Sequence, residues 1–298
     1  MQTFRLPEAL CHRLKKIMID LATIGSNLQQ TAEGLWCCKS LSPISYPEWG
    51  NEACFLVEDS SFWFRHRNVC ILEAVTQFPS SGPLFDIGGG NGFVAKSLQD
   101  AGFEVVLVEP GAVGAANAKR RGVQNVVRAT LEDAGFLPNS LPAIGLFDVV
   151  EHMKDDRTFM EMIRFYLSAR GRVYLTMPAY QALWSLEDIV AGHHRRYSSG
   201  AIRQLLEKAG FVVEFLTGFF QFLPPAIFAL RVIPYRLGLA ISPEASKLST
   251  TMKWQHTIDS KWISRPLNWI QQREVSRIRG RRQERFGASW LVVASKEQ

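Results

Sequence analysis

The stretch Leu84-Phe85-Asp86-Ile87-Gly88-Gly89-Gly90-Asn91-Gly92-Phe93 decides the fold. A short apolar run, Leu84 to Ile87, ends in a glycine cluster and passes directly into helical spacing from Val94 to Ala101. Residues without a Cβ accept the dihedrals of a tight strand-to-helix turn and leave their amides open to a ligand. Outward from this point the alternation is regular. Strand signals at Glu104 to Val108, Asn125 to Arg128, Ile144 to Val150, Arg172 to Thr176 and Phe211 to Phe215 are separated by helical ones at Ala112 to Arg121, Arg157 to Leu167 and Ser199 to Ala209. Strands alternating with helices of this length predict an α/β fold, a parallel sheet with helices on both faces. Ser289 to Ala294 reads as a final strand at the C-terminus, which makes the chain from about Gly218 to Gly287 an insertion before it.

Composition limits the classes open to the 298 residues. At 47% hydrophobic and 21% charged the chain lies in the globular range, and no apolar run reaches the roughly 18 to 20 residues of a spanning helix. The first twenty residues mix charges with apolar groups and lack a secretory core, so a cytoplasmic protein is expected. Five cysteines without paired spacing argue against a disulfide framework or a four-cysteine zinc site. The net charge of +6 is concentrated: residues 246 to 285 hold ten Lys or Arg against three acids. An anionic partner should therefore meet the protein there.

Two acids sharpen the glycine loop. Asp86, on the strand just before it, would repel a pyrophosphate but attract an amino-acid ammonium. Glu109 ends the next strand, where a carboxylate can accept both hydroxyls of a ribose. The implied ligand carries a ribose and a positive charge.

With these residues in place the sequence resembles the class I S-adenosylmethionine-dependent methyltransferases. Asp86 to Gly92, the strand ending in Glu109, and Phe147-Asp148-Val149-Val150-Glu151-His152 carry the likeness, which spans about Phe62 to Phe215 plus the last strand. It implies a Rossmann-like sheet and S-adenosyl-L-methionine as cofactor. Asp86, Gly88, Gly90 and Gly92 would hold its methionine part, Glu109 its ribose, and Thr130, Leu131 and Glu132 its adenine, with Asp148 beside them. The family often has a Gly-Asp pair at the adenine position; this chain has Ala129-Thr130. Within the family it resembles a bacterial subgroup sharing Phe62-Trp63-Phe64, Arg67-Asn68, the Phe-Asp-x-x-Glu-His strand end and a His-x-Arg-Arg-Tyr loop, several of whose members look associated with surface-glycan or lipid-linked pathways.

The second constellation runs from Met177 through Trp184 and Asp188 to His193-His194-Arg195-Arg196-Tyr197. It is too rich in donors for a plain linker and reads as a substrate lip, with Trp184, Asp188, His194, Arg195, Arg196 and Tyr197 meeting the acceptor. Asp148 could instead cap the following helix. For a hydroxyl acceptor, His152 or His193 is the candidate base; for a carboxylate, Arg195 or Arg196 would orient it. A metal pair at His193-His194 is disfavoured because neighbours on a strand face opposite sides.

The insertion begins with an apolar stretch, Phe215 to Ile241, interrupted by Pro224, Pro225 and Pro234, which excludes one clean helix. The basic segment with Trp254, Trp262 and Trp269 follows. Two readings stay open: peripheral contact with an anionic membrane surface, or a helical lid. Nucleic acid explains the aromatics less well than packing or lipid does. The expected organisation is a lead-in at 1–68, a methyltransferase core at 69–218, the insertion at 219–286 and the last strand at 287–298. The expected reaction is methyl transfer to a hydroxyl or carboxyl of a small-molecule, saccharide or lipid-linked acceptor. The alternatives are an NAD(P)-dependent oxidoreductase and a non-catalytic S-adenosylmethionine-binding module.

Overall fold

The computed structural model describes residues 20–40, 48–239 and 261–297. The early helical spacing at Leu10 to Met18, and Lys247, Lys253 and Trp254 of the basic segment, lie outside the described residues, as does the side chain of Trp262.

Five parallel strands carry the cleft: β3 (Leu84–Ile87), β4 (Val105–Val108), β5 (Asn125–Arg128), β6 (Leu141–Phe147) and β7 (Leu167–Pro178). They belong to a nine-stranded sheet in the order β1-β2-β5-β4-β3-β6-β7-β9-β8, with β1 (Leu28–Gln30), β2 (Trp36–Cys38), β8 (Phe211–Phe219) and β9 (Ser289–Lys296). Alternation places successive side chains on opposite faces. Val106 and Val108 enter one apolar layer with Ile144 and Trp290, while Val105 and Leu107 enter the other with Tyr174 and Val293.

The sheet is mixed, not wholly parallel as the strand and helix alternation implied. β9 runs antiparallel to both β7 and β8, because the crossover between those two strands leaves a slot one strand wide that the returning chain fills. The lead-in also joins the sheet: the β1–β2 hairpin adds to the β5 edge through a parallel pairing of β2.

Helices α1 (Leu21–Ile24), α2 (Glu48–Phe55) and α3 (Phe62–Gln77) precede β3. α3 starts at Ser61, whose hydroxyl accepts from the amides of Trp63 and Phe64, so this helix runs straight through the expected boundary at residue 68. α4 (Phe93–Asp100), α5 (Ala112–Arg121), α6 (Asp156–Tyr166), α7 (Leu186–Ala191) and α8 (Ser199–Lys208) follow their strands and loops.

The insertion opens with α9 (Leu223–Ile227), continues through a π-turn at Phe228–Val232 and resumes as α10 (Ile233–Arg236). Pro224 and Pro225 sit in the first turn, where their missing amides cost nothing; the wide turn precedes Pro234. α11 (Lys261–Arg279) packs back on α3. Glu274 anchors it: its carboxylate pairs with His66 at 2.7 Å and accepts from the amides of Phe220 and Gln221. Nearby, Arg279 grips Glu73 of α3 with two hydrogen bonds. Among the described residues no helix is long and apolar enough to cross a membrane.

Candidate active site

A cavity of about 390 Å3 opens at the carboxyl ends of β3, β4 and β6, the place where open α/β sheets bind ligands. The glycine loop forms its floor. Gly88, Gly90 and Gly92 have φ of 67°, 53° and 73°, a region costly for side-chain-bearing residues. At Gly89 closeness is the constraint: a Cβ there would lie 2.3 Å from Leu107 Cδ1 and 2.7 Å from Asp86 Oδ2.

Asp86 lies under this loop, 1% exposed, and neither carboxylate oxygen has a hydrogen-bond partner of good geometry. Burial raises its pKa from about 3.8 to about 7, against weaker downward pulls from Arg67 and the Ala95 amide. A buried carboxyl without a partner is costly, and a cationic ligand would relieve it. Glu109 is held differently. Its two oxygens accept from the amides of Gly90 at 2.9 Å and Gly111 at 2.7 Å, which ties the β4 end to the glycine loop; burial still raises its pKa.

A polar network missed in the sequence locks the loop to the lead-in. Asn91 donates to the Asn51 carbonyl and to Glu58, accepts from Asn117, and Glu58 in turn pairs with Arg121 at 2.7 Å. Asn51, Cys54 and Glu58 thereby line the cavity. Their only signal was negative: a stretch without periodicity immediately before the core.

The other end is walled by Phe147, Asp148, Val149, His152, Met153, Ala191 and His193, with Trp63, Phe64 and Arg67 of α3 across from them. Arg67 pairs with Asp148 at 2.7 Å and donates to the Phe147 carbonyl. Asp148, at φ 59°, also accepts from the Thr176 hydroxyl. It does not cap the next helix; Asp155 does, accepting from the Thr158 amide. Val150–His152 form a single 3-10 turn that buries Glu151 completely and presents His152 to the cavity. The rings of His152 and His193 meet edge to face, 4.9 Å between centroids. Burial and the neighbouring His193 hold the His152 pKa down at about 4. Glu151 is pushed well above the ordinary carboxylate range by burial and by the charge of Asp148.

The structure thus gathers Asp86, Gly88, Gly90, Glu109, Asp148, His152 and His193 around one cavity, with Gly92 at the N-terminus of α4. The expected adenine residues are not among those that line it. Thr130 spends its hydroxyl accepting from the Asp133 amide, Leu131 is in the core and Glu132 is exposed to solvent.

Most of the expected substrate lip is framework. Asp188 is buried, bonded to His193 Nδ1, Arg196 Nε and the Ser185 amide. Arg195 pairs with Asp156 and donates to the Lys154 carbonyl; Tyr197 donates to Asp156, while its carbonyl accepts from Trp290. Trp184 is half-buried beside Gln181–Leu183, and the amide of the exposed His194 donates to the Glu151 carbonyl. None of these side chains lines the cavity. A loop with matched donors and acceptors reads in sequence like a ligand surface because partners such as Asp156 and Trp290 lie far away in the chain.

The strand order, the glycine loop and the carboxylate at the β4 end define a class I, Rossmann-like S-adenosylmethionine site. Asp86 is a buried carboxyl that an amino-acid ammonium would satisfy, the loop is a cradle that side chains would fill, and Glu109 is an acid at the cavity that a ribose could meet, so the residues present fit that cofactor.

The family described as methyltransferase domain matches residues 64–215, just over half of the chain, and the chain belongs to it: it is an S-adenosylmethionine-dependent methyltransferase. A probable S-adenosylmethionine-dependent methyltransferase of Mycolicibacterium smegmatis is 22% identical over 183 residues, covering 60% of this chain and 70% of that protein.

Solved structures share the fold. The putative methyltransferase in complex with the Haloferax volcanii Trm112 activator has a TM-score of 0.53 at 15% identity, covering 84% of this chain and 96% of that one. Phosphoethanolamine N-methyltransferase 2 of Haemonchus contortus, solved with S-adenosyl-L-methionine, has a TM-score of 0.51 at 18% identity over 85% of this chain and 58% of that one. A possible histamine N-methyltransferase of Thermotoga maritima gives 0.51 at 17% identity, covering 84% of this chain and all of that one.

Proposed function

We propose that the enzyme methylates a hydroxyl or carboxyl oxygen of a small-molecule, saccharide or lipid-linked acceptor, and that it belongs with the bacterial subgroup its strand-end and loop motifs resemble. The observation that supports an oxygen acceptor is the polar lining of the cavity, to which Asp148, His152 and His193 contribute together with Trp63 and Arg67. S-adenosylmethionine supplies an activated methyl group on a sulfonium. Asp86 and the glycine loop would fix its amino-acid part, and Glu109 its ribose. Trp63 and Phe64 would exclude water beside the reacting atoms.

Because the donor is already activated, orientation at about 3 to 3.5 Å can supply roughly 7 to 11 kcal/mol of the barrier, against about 10² to 10⁴-fold from a base. His152 or His193 would take the proton of a hydroxyl acceptor as its oxygen forms the new bond to carbon. A carboxylate acceptor would need no base; Arg67 lines the cavity and could orient it by exchanging its bond to Asp148. Transfer of labelled methyl to a panel of hydroxyl and carboxyl acceptors tests the reading; labelling confined to amines would refute it.

The exposed apolar row Leu230, Ile233, Leu237 and Leu239, with Arg231, Arg236 and the exposed Trp269 nearby in the insertion, supports a second element of the proposal. This edge would rest on an anionic membrane surface at the cytoplasmic face. Co-sedimentation with phosphatidylglycerol vesicles, lost at high salt, is the expected result; equal recovery with and without vesicles would refute it.

A further inference from the structure

Glu151 stands out among the buried groups. It is wholly buried, and neither oxygen has a hydrogen-bond partner. Its surroundings are not apolar filler: ligand atoms of Glu151, His152 and His193 all lie within 4.8 Å of one another. Two imidazoles and one carboxylate, converging at the wall of a cavity, are the donor set of a first-row divalent cation.

We propose that Glu151, His152 and His193 bind a divalent transition-metal ion, of the zinc or manganese type, at the acceptor end of the cavity. Donors sharing one tetrahedral ion at about 2.0 to 2.2 Å lie about 3.3 to 3.6 Å apart. The three side chains, whose ligand atoms lie within 4.8 Å of one another, reach that spacing by side-chain rotation on binding.

The supporting shell is already built. His193 Nδ1 bonds to Asp188 Oδ1 at 2.8 Å, which leaves Nε2 as the ligating atom and orients the ring. Asp188 is itself fixed by Arg196 and by the Ser185 amide. One nitrogen of His152 bonds the Gly192 backbone, the same kind of anchoring that directs the other nitrogen toward a metal. This arrangement gives the internally paired His-His-Arg-Arg-Tyr loop a purpose: it sets the position of His193.

The charges agree. Glu151, Asp148 and Asp188 place three acidic groups around the site, opposed by Arg67 and Arg196, each already paired with one of them. His152 and His193 both line the cavity, so the ion's remaining positions would take an oxygen of the acceptor. On the methyl-transfer reading, from which this assignment of substrate follows, the acceptor is an oxygen donor able to ligate a metal, such as a hydroxyl beside a second oxygen, and the histidines act as ligands instead of bases.

The test uses the full chain stripped with chelator and dialysed separately against zinc and manganese, with retained metal measured by elemental analysis. About one ion per chain is expected, falling at least about tenfold in affinity in Glu151→Gln and in His193→Ala. Titration with S-adenosylhomocysteine runs in parallel as a check on folding and on the cofactor cleft, and both variants should bind it within about threefold of wild type. Failure to retain either metal, or equal retention by both variants, overturns the site while leaving the methyltransferase reading intact. Loss of S-adenosylhomocysteine binding by the unaltered chain would count against that reading instead. Glu151→Gln keeps shape and volume, so its folded state remains available even if His193→Ala is unstable.

Discussion

The two ends of the cavity are built in opposite ways. At the cofactor end one unbroken stretch, Asp86 to Gly92, supplies an acid, a turn and a helix start; Glu109 ties it to the β4 end through the Gly90 amide, and Asn91 ties it to Asn51 and Glu58 of the lead-in. At the acceptor end Arg67, Asp148, His152 and His193 come from three separated segments and are positioned by residues that touch no cavity, notably Asp188 and Thr176. A site for a common cofactor can be written locally, since its geometry is a property of one turn. A site for a particular acceptor is assembled from loops whose positions depend on the whole sheet.

If that contrast is right, damage at the acceptor end should begin as damage to stability. Asp188→Ala removes the carboxylate buried between His193 and Arg196, and breaking such a pair costs about 3 to 5 kcal/mol. A large drop in melting temperature is expected. An unchanged melting temperature with loss of activity alone would return Asp188 to the substrate lip.

Damage at the cofactor end should begin as damage to binding. Glu109→Ala removes the proposed ribose acceptor and frees the amides of Gly90 and Gly111, and a loss of about 1.5 to 3 kcal/mol of S-adenosylhomocysteine affinity is expected, the size of one charge-assisted bond. Equal affinity in the variant would remove the ribose assignment.

Asp86 gives a smaller, pH-dependent effect. Its folded pKa is raised from about 3.8 to about 7, so between those values the folded chain binds more protons than the unfolded one, and its contribution to stability falls as pH rises through that window. A cationic ligand favours the ionised form. Affinity for S-adenosylhomocysteine should therefore rise as pH passes upward through about 7, by up to about tenfold per pH unit, and Asp86→Asn should flatten the dependence. Calorimetry across that range decides it; an identical slope in the variant would move the titrating group elsewhere.

The smallest effect is expected at Arg195, partly exposed in its pair with Asp156. Arg195→Ala should change stability by no more than about 1 kcal/mol and leave cofactor binding unchanged. A strong loss of acceptor affinity in steady-state kinetics would restore its expected role in binding substrate.

The same contrast governs what the sequence discloses. β4 and α5 are legible nearly to the residue because a short β-branched run and a helical stretch ending at Gly122 are local signals. The antiparallel insertion of β9 is not, since strand direction depends on where the chain re-enters the sheet. α3 begins seven residues before the expected core boundary at 69: Phe62 to Asn68 form its first two turns after the Ser61 cap, and aromatic and charged residues there obscure the period. Asp86, Glu109 and His152 could be picked out because each lies on a strand or shortly after one. Arg67, Asn51 and Asn91 could not, because their meaning lies in partners such as Asp148 and Glu58 that no spacing rule connects. At Arg196 and Tyr197 the reverse holds: their bonds to Asp188 and to the distant Asp156 are invisible to spacing, so a loop with its own partners reads as a ligand surface.

The central claim is that the buried carboxyl of Asp86 and the acid at the β4 end together select an adenosyl ligand that carries an amino-acid ammonium group. Side-by-side calorimetric titration of the unaltered chain with S-adenosylhomocysteine and with NAD tests it most directly. Saturable one-to-one binding of the first, with no detectable heat from the second, is the predicted result; tighter binding of the dinucleotide would contradict the account.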